Sequence, residues 1–386
     1  MNYENILSKY STPLFIYDCD KLEQRVNYLK NMLNTDLCYA IKANSFVIKE
    51  IEPLVSRIEI CSYGEYMICK DNGVKNDKMV LSGVNKNYDE FEKIIKEENN
   101  ILRYTIESIT QFNMLKELSS KYKKNINILP RITSGNQFGI TKEELYYIIE
   151  NLTEFMTLTG IEFFSGTQKH SIKRIVNEFT LVNEIFDYIE NTYKLTDLEL
   201  EYGPGLPVYY FEEESFNEEE FLNEVKNNIH TFFKGRKVIL EIGRSLVANC
   251  GEYITKVVDL KENKTGKYAI IDGGINHLVY YGGTMGMMRP KFEILNKSNT
   301  KENIYNIFGS LCTINDIIVK NVSLPELEIN DTFVFKNTGA YSVTEGINLF
   351  LSRDMPKVLL LKNKNVLLVR DNINTYKLNS PNYGGK

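Results

Sequence analysis

The chain has 386 residues, 43% of them hydrophobic and 25% charged, with a net charge of −5 at pH 7. That length is too great for one ordinary core and suits two domains, and the charge gives no reason to expect nucleic-acid or membrane-surface binding. No apolar run reaches the roughly 18 residues that a membrane-spanning helix needs.

The N-terminal stretch lacks the apolar core of a signal peptide. Six cysteines, Cys19, Cys38, Cys61, Cys69, Cys250 and Cys312, follow no framework spacing and read as reduced thiols, so a cytoplasmic location is expected. The three histidines, His170, His230 and His277, form no pair with metal-ligand spacing, and no metal site is expected.

Residues 11–17, Ser-Thr-Pro-Leu-Phe-Ile-Tyr, read as a strand. It could pair into the sheet that follows or into a later one. Leu22, Val26, Leu29 and Leu33 then fall on one face of a helix over Asp18–Leu33. Strand-like runs follow at Leu37–Ile41, Ile58–Cys61, Met79–Leu81, Tyr104–Ile106, Ile126–Ile132, Gly160–Phe164, Leu198–Tyr202 and Lys237–Glu241. Amphipathic stretches alternate with them: Glu65–Asn72, Tyr88–Glu98, Ile109–Lys121, Lys142–Asn151, Ile172–Leu195 and Asn217–Phe233. Eight strands with intervening helices predict an α/β fold of the (β/α)₈ TIM-barrel type. An open doubly wound sheet would call for a Gly-x-Gly-x-x-Gly turn after its first strand, and none is present.

Beyond Glu241 the pattern changes to strands at Tyr253–Leu260, Tyr268–Asp272, Asn303–Phe308, Thr332–Asn337 and Lys357–Leu361, which predict a mostly antiparallel β domain. The division expected is 1–27 as an N-terminal strand and helix start pairing with the β domain, 28–246 as the barrel and 247–386 as the β domain. Residues 296–303 read as a polar surface loop and 379–386 as a frayed tail.

In a barrel the strand ends carry the chemistry. The first ends in Tyr39-Ala40-Ile41-Lys42. A lysine among apolar neighbours is expected to have a depressed pKa and to act as a nucleophilic amine. Taken alone, Lys42 could equally snorkel to water. The sixth strand ends in Phe164-Ser165-Gly166-Thr167-Gln168 and the seventh in Glu201-Tyr202-Gly203-Pro204-Gly205, a turn that lets an anion approach the backbone. The eighth ends in Glu241-Ile242-Gly243-Arg244, which alone could be a structural ion pair. An amine, a carboxylate, an arginine and glycine turns on successive strand ends together suggest pyridoxal phosphate.

At these residues the chain resembles the fold-type III, alanine-racemase-like pyridoxal-phosphate decarboxylases, the group of the diaminopimelate, ornithine and arginine decarboxylases. The resemblance runs from Thr12–Asp18 through Tyr39–Ser45, Cys61–Glu65, Ile106–Ser108, Arg131, Phe138–Ile140, Gly160–Gln168 and Glu241–Arg244 to Gly309–Asp316 and Gly339–Tyr341. It implies that Lys42 holds the cofactor as an internal aldimine, ahead of a quinonoid intermediate, and that Glu241 pairs with the pyridine nitrogen. It implies a phosphate site of Arg244, Gly203, Gly205, Thr167 and Tyr341, with Phe164 against the ring and Arg131 supporting lysine and cofactor. Cys312, supplied by a partner subunit, would reprotonate the α-carbon, and Thr313 and Asp316 would meet the substrate. The working unit implied is a homodimer with shared active sites.

Three departures from the family pattern matter. Phe164 stands where the basic amino-acid decarboxylases carry a histidine. Pro204 replaces the middle glycine of a triple-glycine turn and removes an N–H. Thr313 follows Cys312 where an acid grips the distal amine of diaminopimelate or ornithine, and a threonine cannot neutralise an ammonium. The pattern around Phe164–Lys169 and Leu311–Thr313 is similar to the subgroup that acts on glutamyl groups tethered to acyl-carrier proteins in butirosin-type pathways. The expected substrate is therefore a tethered amino-acid unit without a distal cation. The basic run Lys169–Arg174 could meet the phosphate of a pantetheine arm or an acidic carrier, or simply be a solvated helix start. The alternatives are a diaminopimelate decarboxylase and a non-catalytic homologue acting as a binding protein.

Overall fold

The computed structural model describes residues 1–280, 286–297 and 302–381. The predicted polar loop at 296–303 and tail at 379–386 lie in part outside the described residues. The chain divides into two compact units: one holds Glu23–Pro207 and Asn217–Leu246, the other Met1–Leu22, Val208–Phe216 and the residues from Val247 onward.

The first unit is the (β/α)₈ barrel. Its eight parallel strands are Asp36–Ala40, Arg57–Ile60, Met79–Leu81, Arg103–Ile106, Ile126–Ile132, Gly160–Phe164, Glu199–Gly203 and Val238–Ile242. Each pairs with the next, and the last returns to the first through Glu241 opposite Cys38 and Ile242 opposite Tyr39. Closure removes the exposed edges that an open sheet would leave. A three-residue strand absent from the sequence reading, Met156–Leu158, adds outside the ring on Ile126–Ile132. The helices between the strands bury the apolar stripe their spacing predicts; Ile175, Phe179, Val182, Phe186 and Ile189 are the buried face of the helix Ile172–Tyr193. Several begin at side-chain caps: Ser62, Asn87, Ser108 and Thr141 each accept a backbone N–H of the first turn.

The barrel strands bury charged side chains beside an apolar cluster of Cys38, Val80 and Ile239. On the barrel's lower layer Arg57 donates to Glu201 at 2.6 Å and to Glu199 at 2.7 Å, and Arg103 Nε reaches Glu199 at 2.9 Å. All three pairings join different strands, so they lock the ring at a level well below its mouth.

The second unit is a mostly antiparallel sheet of nine strands among the described residues. The strand Leu14–Asp18 lies inside this sheet, antiparallel to Gly251–Asn263 and parallel to Lys357–Lys362. Three strands escaped the sequence reading: Phe292–Ile294, Ile317–Pro325 and Asn365–Arg370.

Candidate active site

Lys42 sits in a single 3₁₀ turn, Ile41–Ala43, directly after the first barrel strand. Asn44 closes that turn by donating its backbone N–H to the Ile41 carbonyl, its side chain accepts the Phe46 N–H to start the next turn, and the Tyr39 hydroxyl donates to the Asn44 carbonyl at 2.8 Å. The lysine side chain is 39% exposed at the barrel mouth. Its amine lies 2.8 Å from Glu59 Oε2, 3.5 Å from Cys61 Sγ and 3.9 Å from Glu241 Oε1.

The expectation of a depressed Lys42 pKa fails here. Desolvation pushes it down, but the Glu59 carboxylate, with Cys61 and Glu241 behind it, outweighs that and holds the ammonium well above the ordinary lysine range. Apolar neighbours are visible in the sequence; the acid 17 residues on, in the adjacent strand, is not. Glu59 responds in kind: burial pushes its pKa up, and Lys42 pulls it below the usual carboxylate value.

Glu241 ends the eighth strand and is buried. Burial, and then the Glu59 charge, push its carboxyl up to about 8. Its Oε2 has no hydrogen-bond partner among the described residues. A buried carboxyl oxygen left unpaired is costly, so this one asks for a donor from a ligand. Arg131 reaches Glu107 at 3.3 Å and Glu162 at 3.6 Å, and its guanidinium lies 5.7 Å from the Phe164 ring centre. Glu162 and Glu107 each carry one further unpartnered oxygen. Carboxylates therefore outnumber cations at this level, which suits a ligand that brings a protonated nitrogen.

Two loops stand beside this acid cluster. Thr167 accepts from Arg244 Nε at 3.4 Å, which links the end of the sixth strand to that of the eighth. Gly203 must lack a Cβ because the Phe164 ring occupies its place, and Gly205, at φ +58°, would drive a Cβ into the Gly166 carbonyl. These tight turns bring backbone close to whatever binds above them.

In the basic run after the sixth strand Lys169 is buried, while Lys173 and Arg174 are exposed. Lys169 is wholly buried in an ion pair with Glu178, and Arg174 is tied to Glu178 and to the Ser165 carbonyl. Lys169 is therefore closed off from an incoming phosphate or acidic partner, whereas Arg174, although paired with Glu178, is 51% exposed.

Sequence reading missed Glu59, Cys61, Lys86, Glu107 and Glu162 as site residues. The signal was available in part: Arg57 and Glu59 alternate along one strand, as do Glu199 and Glu201 along another. Charges at every second position of a strand enclosed on both sides point inward. Lys86 donates to the Gly83 carbonyl, Thr105 and Gln111, and burial pushes its pKa down to about 8.

In the second unit, Cys312 is exposed on the loop between Glu302–Phe308 and Ile317–Pro325. Asp316 organises that loop. Its carboxylate accepts the Ile275 N–H at 2.8 Å and the Leu311 N–H at 2.7 Å. The expectation that Asp316 lines the substrate pocket thus meets a carboxylate already committed to backbone. Thr313 is half-buried, and its hydroxyl accepts the Asn315 N–H at 3.3 Å. Tyr341 precedes the short helix Ser342–Glu345 at φ +65°, an unusual conformation for a tyrosine.

The amine, the unpartnered acid and the glycine turns of the barrel fit pyridoxal phosphate: a carbonyl carbon for Lys42, a ring nitrogen for Glu241 and an anion for the turns. A family model described as pyridoxal-dependent decarboxylase, C-terminal sheet domain, matches residues 14–339. The chain belongs to this family and is a pyridoxal-phosphate-dependent amino-acid decarboxylase. It is similar to diaminopimelate decarboxylase of Campylobacter jejuni, 28% identical, with 97% of this chain and 96% of that protein aligned. It is also similar to the L-glutamyl-[BtrI acyl-carrier protein] decarboxylase of Niallia circulans, 24% identical over 95% of this chain and 92% of that one. Among solved structures, a variant of Helicobacter pylori diaminopimelate decarboxylase complexed with L-lysine superposes with a TM-score of 0.85 at 25% identity, covering 98% of each chain.

Proposed function

We propose that this chain removes one α-carboxyl group from a diaminopimelate-type amino acid. The observation that carries the chemistry is Glu241: a buried carboxyl with an unpartnered oxygen, pushed up to about 8, beside the Lys42 ammonium. Bound pyridoxal phosphate supplies the electron sink for decarboxylation. Lys42 holds its carbonyl carbon, and Glu59, 2.8 Å away, takes the proton that the ammonium must lose. Glu241 keeps the ring nitrogen protonated, which favours loss of CO₂ over simple proton exchange. Arg131 holds Glu162 and Glu107 in place around the site. The glycine turns, Thr167 and Arg244 receive the phosphate.

In the same reading Cys312 is the acid that returns a proton to the α-carbon, presented by a second copy of the chain. Its exposure supports this, as does the neighbouring Ile314, 86% exposed on the same loop. Asp316 then acts by holding the Cys312 loop in shape.

The substrate assignment draws support from the Campylobacter jejuni and Helicobacter pylori relatives, which align almost end to end. One observation favours a second reading. Thr313 offers no charge to a distal ammonium, and an unpaired buried cation costs several kcal/mol. That suits a carrier-linked glutamyl group, the unit for which the Niallia circulans decarboxylase is named.

The test is kcat/KM for meso-diaminopimelate, ornithine, free glutamate and a glutamyl-pantetheine thioester, measured side by side. The first reading expects diaminopimelate to lead by about a hundredfold, the factor for roughly 2.7 kcal/mol. A lead of that size for the thioester would replace it with the second. Mixing Lys42→Ala with Cys312→Ala chains should restore activity if sites are shared; no rescue after verified subunit exchange would remove the second copy's role.

A further inference from the structure

The loop after the sixth barrel strand and the turn after the seventh are joined from beneath by one buried cluster. The Lys169 side chain is 0% exposed. Its ammonium donates to Glu178 Oε2 at 2.7 Å, to the Gly203 carbonyl at 3.1 Å and to the Tyr202 hydroxyl at 3.4 Å. Its own backbone N–H donates to the Gly205 carbonyl at 2.8 Å, and its Cγ lies 3.2 Å from where a Gly205 Cβ would be. Glu178 also accepts from the Ser165 hydroxyl, from the Tyr202 hydroxyl at 2.5 Å and from Arg174 Nε at 3.2 Å. Arg174 in turn donates to the Ser165 carbonyl at 2.9 Å.

Two features of this cluster point beyond packing. Lys169 and Arg174 share the Glu178 carboxylate, Arg174 from the solvent side at 51% exposed, so the buried Lys169 ammonium is the charge that touches the turn, 3.1 Å from the Gly203 carbonyl. The turn itself carries Pro204, which has no N–H to offer an anion. A fixed charge in a dry interior acts across a distance that a hydrogen bond cannot span.

We propose that Lys169 is a positioning residue for the cofactor phosphate: its buried ammonium supplies, from behind the Gly203–Gly205 turn, the positive field that Pro204 cannot supply by donation. The inference rests on the reading that these two loops receive the phosphate. Lys169 also pins the turn to the Ser165–Thr167 loop, so the charge and the cradle move as one body. Replacing Lys169 by a neutral residue of the same length removes the field and leaves Ser165, Tyr202 and Arg174 still donating to Glu178.

The experiment is equilibrium titration of the cofactor-free protein with pyridoxal 5′-phosphate and with pyridoxal, which lacks the phosphate. The quantity read is the ratio of the two affinities. The wild type should prefer the phosphorylated ligand; equal binding would overturn the phosphate reading itself before any variant is made. Lys169→Met should cut the ratio about tenfold, the effect of about 1.4 kcal/mol, with pyridoxal binding little changed. Glu178→Gln removes the opposing charge while keeping the acceptor, so it should hold or raise the ratio. A purely structural role predicts that both substitutions weaken both ligands together. A fall in the ratio on Glu178→Gln, or an unchanged ratio on Lys169→Met, would overturn the proposal, and the sign for Glu178→Gln decides it even if Lys169→Met fails to fold.

Discussion

Glu241 is a carboxyl whose charge is opposed first by burial and then by Glu59, and the consequence is a pH dependence with a definite sign. Its pKa lies near 4.5 in an unfolded chain and is pushed up to about 8 in the folded one. The fold therefore favours its protonated form. That contribution to stability is fully present below about pH 4.5 and is lost as pH rises toward and through 8, by up to ~1.4 kcal/mol per pH unit. Melting curves of the cofactor-free protein between pH 5 and 8 should fall more steeply for the wild type than for Glu241→Gln. Parallel curves would show that the carboxyl is not held protonated. In the loaded enzyme the same substitution should retain cofactor and slow decarboxylation by about 10²–10³, the usual effect of removing one aimed electrostatic group. Near-normal turnover would exclude its role at the ring nitrogen.

At the scale of elements, the turn after the seventh strand shows how local backbone makes a site. Gly205 sits at φ +58° with the Gly166 carbonyl where a Cβ would go. Gly205→Ala should destabilise the protein by ~1–3 kcal/mol, since the atom nearest the new Cβ is the Gly166 carbonyl oxygen, which is backbone and cannot move aside as a side chain would. It should also weaken cofactor binding by about tenfold or more, because the cradle must open. Unchanged affinity in a titration, alongside the lost stability seen in denaturation, would detach this turn from the phosphate.

The eight barrel strands were legible because each lies between amphipathic helices that announce themselves by period. Lys42, Arg244 and the glycine turns were legible because they punctuate strand ends. Glu59 and Glu162 were not: a lone acid inside a strand reads as solvent-facing until the ring is closed around it. Ile317–Pro325 was hidden by Lys320 and Asn321, the latter at φ +52°, which break its alternation beside register shifts. Asn365–Arg370 pairs only with Lys357–Lys362 among the described strands, so its apolar run carries no clean two-residue period.

Across the whole molecule, the barrel gathers the acids Glu59, Glu107, Glu162 and Glu241 at its mouth beside the cations Lys42, Arg131 and Lys86. A bound ring with a protonated nitrogen would offset that excess of acids, which would give the fold a reason to hold its cofactor beyond the covalent link. The same field raises the Lys42 pKa and leaves Lys86, among neutral acceptors, with an amine pushed down to about 8. Free-amine reactivity alone would therefore choose Lys86, whereas the arrangement of carboxylates chooses Lys42. Borohydride reduction of the cofactor-loaded protein, followed by digestion and peptide mapping, separates the two. The account predicts a single pyridoxyl-labelled peptide that contains Lys42, and a label carried on Lys86 or any other lysine in its place would contradict it.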